Sequence, residues 1–326
     1  MRTRARTGLL ASYALVVLVL VSLNFFLPRA LPGRPLETLS DPRSQTFVGD
    51  ATTRAALDRY YGLDRPLLAQ YGSYMSGLAS GDLGTSIRYH APVAEMIGKR
   101  IGWTLLLVGT AVALSTGLGM VAGIRSGWRR GEPADRRLVA LFLALDNLPA
   151  FFLASVVAYV FAVRLGWFPL YGARTPFSES YGAVRRIADV AHHLVLPVAV
   201  LALQFVTFQY LVMRASMVGE LGSDHLMLGR VKGLSEHVLK YRYAARNALL
   251  PSVTVATLQI PMAITTAIFV ETVFAYPGVG RLMFESVGDR DYPLMQGCFL
   301  VLSVGVVSAN LLADLLYRRL DPRISP

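Results

Sequence analysis

The chain has 326 residues, 54% of them hydrophobic and only 16% charged, with a formal net charge of +11 and a mean hydropathy of +0.46. Soluble domains carry about a quarter charged residues, so an ordinary soluble domain is excluded, and a single cysteine, Cys298, excludes an intrachain disulfide. The basic excess does not imply nucleic-acid binding, because lysines and arginines beside membrane spans set orientation.

A helix crosses the roughly 30 Å hydrocarbon core in about 20 residues, and six stretches are long and apolar enough: 9–27, 101–124, 138–163, 194–213, 251–270 and 292–316. The first follows Arg2, Arg4 and Arg6 like a signal peptide, but its 19 residues exceed the usual apolar core and no small-x-small cleavage site follows. It is read as a retained span, making 1–27 a tail plus first helix. With both termini cytoplasmic, the inside segments 1–8, 125–137, 214–250 and 317–326 hold 17 of the 32 Lys and Arg in 68 residues. The short clusters Arg2, Arg4, Arg6 and Arg125, Arg129, Arg130, Arg136, Arg137 weigh most in that orientation.

Residues 28–100 mix charge with helix-compatible apolar spacing and read as a small external helical segment; 101–326 form the transmembrane core. Gly117, Gly119 and Gly123 in the second span allow close helix approach. The third span carries Asp146 and is interrupted by Pro149, where a local kink is expected. The carboxylate of Asp146 is expensive in hydrocarbon; it lines a water-filled path, pairs with an arginine of a neighbouring helix or subunit, or reaches water. Residues 164–193 read as an external loop with Trp167 and Phe168 as interfacial aromatics. Gln204, Gln209 and Tyr210 in the fourth span and Gln259 in the fifth either line a polar path or bond between helices. Cys298 reads as a small packing residue of the last span, and Asp314 as a partner for Arg318 one helical turn on.

The stretch 214–250 is too long and too organised for a mere connector. Ser223 is placed to cap a helix DHLMLGRVK with Asp224 in its first turn, Gly233 is placed as a left-handed terminator, and Ser235 caps a second helix running into Pro251. The expected object is two helices at a glycine elbow, shaped to enter a partner's groove.

This stretch, GRVKGLSEHVLKYRYAARNALLP, resembles the cytoplasmic loop of permease subunits in ATP-binding-cassette importers, in the branch for dipeptides, oligopeptides or nickel complexes. YGLDRPLLAQY, SGDLGTSI, NLPAFFLA, ETVFAYPGVGRLMFES, RDYPLMQG and LLADLLYRRLDPRI resemble the same family in the same order, over nearly the whole chain. The resemblance implies an all-α type I importer permease with six transmembrane helices, in a prokaryotic inner membrane. It implies ATPase coupling through Arg230, Lys232, Gly233, Leu234, Ser235 and Glu236, and an external gate at Glu271, Phe274, Pro277, Gly278 and Gly280. Glu271 either fastens that gate or sits in solvated interface. Implied partners are a second homologous permease subunit, two ATP-binding subunits that carry the ATP and magnesium, an extracytoplasmic substrate-binding lipoprotein, a peptide substrate and membrane lipid. Nickel chelates or another small solute are alternatives. Gly229, Arg34 and Asp146 depart from the family's pattern.

Nothing points to catalysis: the five histidines show no HExxH spacing, and neither GxSxG nor GxxxxGK[ST] occurs. Asp146 and Asp314 lack the glycine-rich surroundings of an intramembrane aspartyl pair. A free-standing channel or secondary transporter is the remaining class; no internal repeat supports it, and the organised loop asks for an external motor.

Overall fold

A computed structural model describes residues 2–30 and 51–320. The described residues are almost entirely helical: α1 Arg2–Ala30, α2 Ala51–Tyr60, α3 Leu67–Ser80, α4 Val93–Trp128, α5 Pro133–Asp146 and α6 Ala150–Val157. The order continues with α7 Ala183–Glu220, α8 Asp224–Val231, a short α9 Glu236–Val238, α10 Ala245–Val273, α11 Val279–Gly288 and α12 Tyr292–Leu320. Arg34 lies outside the described residues, as does the side chain of Arg318.

Four helices are apolar and long enough to cross a membrane alone, within Val93–Trp128, Ala183–Glu220, Glu236–Val273 and Tyr292–Asp314. The expected third span is two helices, Pro133–Asp146 and Ala150–Arg164, meeting at 101°, a far sharper break than the expected kink. The cause is local: Pro149 disfavours helical backbone at Leu148, and the second helix starts afresh after Pro149 at ψ 142°. The first expected span falls on α1, whose described apolar part is Leu15–Ala30. The fourth span is longer than its apolar core, since α7 begins at Ala183, well inside the expected loop. What remains of that loop is pinned by Asp189, which accepts hydrogen bonds from Thr175 N at 2.8 Å and Thr175 Oγ1 at 2.6 Å.

The chain forms two compact units, Met1–Gly102 with Gly278–Val307, and Trp103–Pro277 with Ser308–Pro326. In the first, Val93, Ile97, Val279, Leu282, Leu294 and Cys298 form one buried cluster. Asp291, 1% exposed, joins two of the motifs read from sequence. It accepts from Leu294 N at 3.2 Å at the start of α12, and from Ser86 Oγ at 2.5 Å and Arg88 N at 3.1 Å in the SGDLGTSI turn. Asp291→Ala removes a cap and orphans the buried Ser86 Oγ and the part-buried Arg88 N, so a loss of about 2–4 kcal/mol is expected, read as a lower midpoint of thermal unfolding in detergent.

In the second unit the glycines repeat every four residues, which places them on one helix face. A Cβ on Gly119 would lie 2.8 Å from Gln209 Cβ, one on Gly123 would lie 2.7 Å from Met213 Cβ and 2.9 Å from Arg214 N, and one on Gly127 would lie 2.6 Å from Met217 Cβ. Thus α4 lies against α7 along Gly119, Gly123 and Gly127. Gly117, expected in this contact, is two residues out of register and has nothing within 4 Å of a Cβ. Gly123→Val pushes into backbone that cannot rotate away; a destabilisation of about 3 kcal/mol, at the upper end for overpacking, is expected as a loss of folded protein extracted in mild detergent.

Candidate functional site

The knob between α7 and α10 is built on the expected elbow. Ser223 and Ser235 occupy N-cap positions with extended backbone, but neither side chain caps its helix. Instead Ser223 Oγ donates to Glu220 O at 2.7 Å, and the caps are backbone ones, with Leu226 N and Leu239 N donating to Ser223 O and Ser235 O. Gly233 has φ +75°. Its N–H donates to Arg230 O at 2.9 Å and that of Leu234 to Gly229 O at 3.1 Å, the two bonds by which a left-handed residue closes a helix.

Gly229 does more than weaken α8. A Cβ there would stand 2.6 Å from Leu239 Cδ2, so its absence lets α8 close onto the helix after the elbow. The inner face of the knob is one buried cluster, Leu226 and Leu239 with Met213 and Met217 of α7 and Ala245 and Ala248 of α10. Force applied to the knob therefore reaches both long helices through packed side chains. Between α9 and α10 the backbone widens into a π-helix over Leu239–Ala244, which the sequence does not signal, and α10 then runs unbroken through Pro251.

The outer face is apolar. Met227, Leu228 and Val231 of α8 are 67, 54 and 78% exposed, beside exposed Arg230, Lys232, Gly233, Ser235 and Glu236. Arg230 and Glu236 approach to 3.9 Å across the elbow, while Leu234 turns inward onto the cluster. The three apolar residues are missing from the sequence reading. Their signal is the spacing itself, since apolar side chains at 227, 228 and 231 form a second face beside the buried Leu226 and Gly229.

Asp135 is a firmly held buried charge of the second unit. It is 2% exposed and is gripped by Arg214 of α7, Nε to Oδ1 and Nη2 to Oδ2, both at 2.7 Å. Ser126 Oγ and Gly131 N also donate to it, and Tyr210 Oη meets Ser126 Oγ at 2.6 Å. One carboxylate thus ties α4, α5 and α7.

The residues expected at the gate divide between the units. Glu271 is fully buried, not in solvated interface. Its Oε1 accepts from Thr104 Oγ1 at 2.7 Å, and its carbonyl from Tyr276 N at 2.8 Å. Burial, and after it the Glu271 carboxylate, push the Tyr276 phenol well above its ordinary pKa. Phe274 is buried and its carbonyl accepts from Gly172 N at 3.0 Å, while Ala275 is held at φ +45°, a conformation costing a non-glycine residue roughly 1–2 kcal/mol. Pro277 ends this stretch. Gly278 and Gly280 belong to the first unit, where Gly278 is the extended residue opening α11 and Gly280 is buried in its first turn.

Of the path-lining candidates, two glutamines bond between helices and one bonds to the corner between α5 and α6. Gln204 Nε2 donates to Leu148 O at 3.0 Å, Gln209 Nε2 to Ser252 O at 2.9 Å, and Gln259 Nε2 to Phe205 O at 3.0 Å. Gln209 and Gln259 are buried within the unit and face no open path there. Asp146 is exposed at the last position of α5, at the 101° corner.

The comparisons agree with this architecture. Residues 115–326 match the family described as the binding-protein-dependent transport system inner membrane component. Similar proteins include one named as a peptide permease in Brucella ovis, 37% identical over 95% of both chains. Another is a dipeptide transport system permease protein of Alkalihalophilus pseudofirmus, 34% identical over 95% of both. A glutathione transport system permease protein of Escherichia coli is 34% identical over 95% of this chain and 94% of its own. The chain belongs to the family of inner-membrane permease subunits of binding-protein-dependent ATP-binding-cassette importers, and it is a multi-pass transport component rather than an enzyme.

Proposed function

We propose that this subunit forms half of a translocation path for short peptides, paired with a second homologous permease subunit and served by a substrate-binding lipoprotein on the outer side. Two ATP-binding subunits, holding the ATP and magnesium, dock on the cytoplasmic side, where both termini also lie, one of them on this chain's knob. The observation that carries the docking reading is the face of Met227, Leu228 and Val231 beside the Gly233 elbow. Such a face in a water-exposed loop is what a partner's groove covers. The peptide is supported by the names of relatives that cover nearly the whole chain.

In this mechanism, closure of the ATPase pair moves α8, and the buried cluster of Leu226, Leu239, Met213 and Ala245 passes that movement to α7 and α10. Asp135, with Arg214 and Ser126, keeps α4 and α5 moving with α7. The path opens alternately to the two sides as the helices rock.

Right-side-out vesicles containing the complete importer are expected to accumulate a labelled dipeptide only when ATP is enclosed and the binding lipoprotein is present. Accumulation without ATP would instead indicate a free-standing transporter.

A further inference from the structure

The first unit contains a cavity of about 280 Å³, at the small end of ligand pockets. Tyrosines 61, 74 and 292 supply walls, and Arg29 and Gln70 supply polar groups. Arg29 is half-buried at the end of α1. Its guanidinium stacks 3.7 Å from the centroid of Phe25, donates Nε–H to Gln70 Oε1 at 3.1 Å and Nη1–H to Phe25 O at 2.9 Å. Those two bonds occupy two of its five N–H donors, and among the described residues no carboxylate stands within ion-pair distance of it. Asp82 also lines the cavity, but Arg65 does too, so among the described lining residues Arg29 leaves a net positive charge.

A half-buried guanidinium with no counter-ion among the described residues carries a desolvation cost that an oxyanion offsets, and the planar fork matches a carboxylate in two parallel bonds. The phenol rings around it accept an apolar or aromatic side chain. The geometry points to a carboxylate-binding site at Arg29 that takes the free C-terminal end of a short peptide. The proposal rests on the importer reading for the choice of a peptide over another small carboxylate.

The test is photolabelling of the complete importer in phosphatidylcholine nanodiscs without ATP, using alanyl-benzoylphenylalanine as the free acid and as its C-terminal amide. The acid is expected to label the segments around Tyr61, Tyr74 and Tyr292, with the amide at least tenfold weaker and the signal lost in Arg29→Gln. Arg29→Lys, which keeps the charge without the fork, is expected to label at an intermediate level. The comparison of acid with amide on unaltered protein stands even where a variant fails to fold. Equal labelling by acid and amide, or none at these segments, overturns the site. Labelling by the acid that disappears in phosphatidylglycerol nanodiscs overturns it in favour of a lipid phosphate at Arg29. Vesicle uptake separates the two claims: normal ATP-driven uptake with no labelling refutes only this site, and labelling without ATP-driven uptake refutes only the importer reading.

Discussion

Gly233→Val is expected to abolish ATP-driven uptake while leaving the chain in the membrane at its normal level. The effect is conformational rather than steric. Gly233 sits at φ +75°, and nothing lies within 4 Å of the position a Cβ would take, so a side chain there meets no neighbour. What it meets is its own backbone, since left-handed geometry costs an ordinary residue roughly 1–2 kcal/mol and is worse for a β-branched one. That cost falls on the two hydrogen bonds that close α8, from Gly233 N to Arg230 O and from Leu234 N to Gly229 O. Losing them turns Met227, Leu228 and Val231 away from their present direction and unseats Leu234 from the buried cluster. A graded series checks the cause. Asn, which tolerates left-handed backbone, is expected to retain most uptake, Ala to lose roughly 5–30-fold, and Val to fall to background. Equal uptake by all three variants would show that the elbow's backbone is not what couples.

Arg214→Met is expected to be the most damaging single change to folding. It strips the bidentate partner from Asp135, which is 2% exposed and would retain only Ser126 Oγ and Gly131 N as donors. Breaking a buried ion pair on one side costs about 3–5 kcal/mol because the surviving charge is left uncompensated, whereas replacing both partners by apolar groups is often close to neutral. The double variant Asp135→Leu with Arg214→Met should therefore recover much of the loss. Unfolding midpoints of the two singles and the double in detergent form the cycle that measures the coupling. Should the double be as unstable as the sum of the singles, the pair is not acting as one buried unit.

Hydropathy made the membrane-crossing stretches legible, because the length of an apolar run is a direct measure of span. It made the corner at Pro149 only half legible. A proline announces an interruption but not its angle: Asn147 keeps near-helical backbone at φ −79° and ψ −6°, and the break behind the 101° turn comes at Pro149, whose ψ is 142°. Helix ends beyond the hydrocarbon were not readable from apolar runs, which is why Ala183–His193 read as loop although it belongs to α7. In the knob, Gly233 was legible since a left-handed residue has a composition cue. The serines stand at the N-cap positions, but neither hydroxyl caps its helix; Ser223 Oγ donates to Glu220 O instead. Asp135 with Arg214 is not legible, because they stand 79 residues apart in sequence and meet only through tertiary packing of α5 on α7, where Phe142 stacks on Tyr210 and its carbonyl accepts from Thr207 Oγ1. The glutamines were ambiguous from sequence for a physical reason, since one amide serves a path or a neighbouring carbonyl equally well, and only the partners Leu148 O, Ser252 O and Phe205 O settle the bonds they make in this subunit.

The central claim, that the knob holds an ATPase, is tested most directly by affinity purification from the native membrane in mild detergent, comparing the unaltered chain with one in which Met227, Leu228 and Val231 are changed together to Ser. The unaltered chain is expected to bring down a second six-span subunit and an ATP-binding subunit, identified by mass spectrometry. The triple variant should keep the second permease subunit and bring down clearly less ATP-binding subunit, since this chain's own docking face is lost. Recovery of the ATPase in undiminished amount with the triple variant, or of the unaltered chain alone across several detergents, would contradict the account.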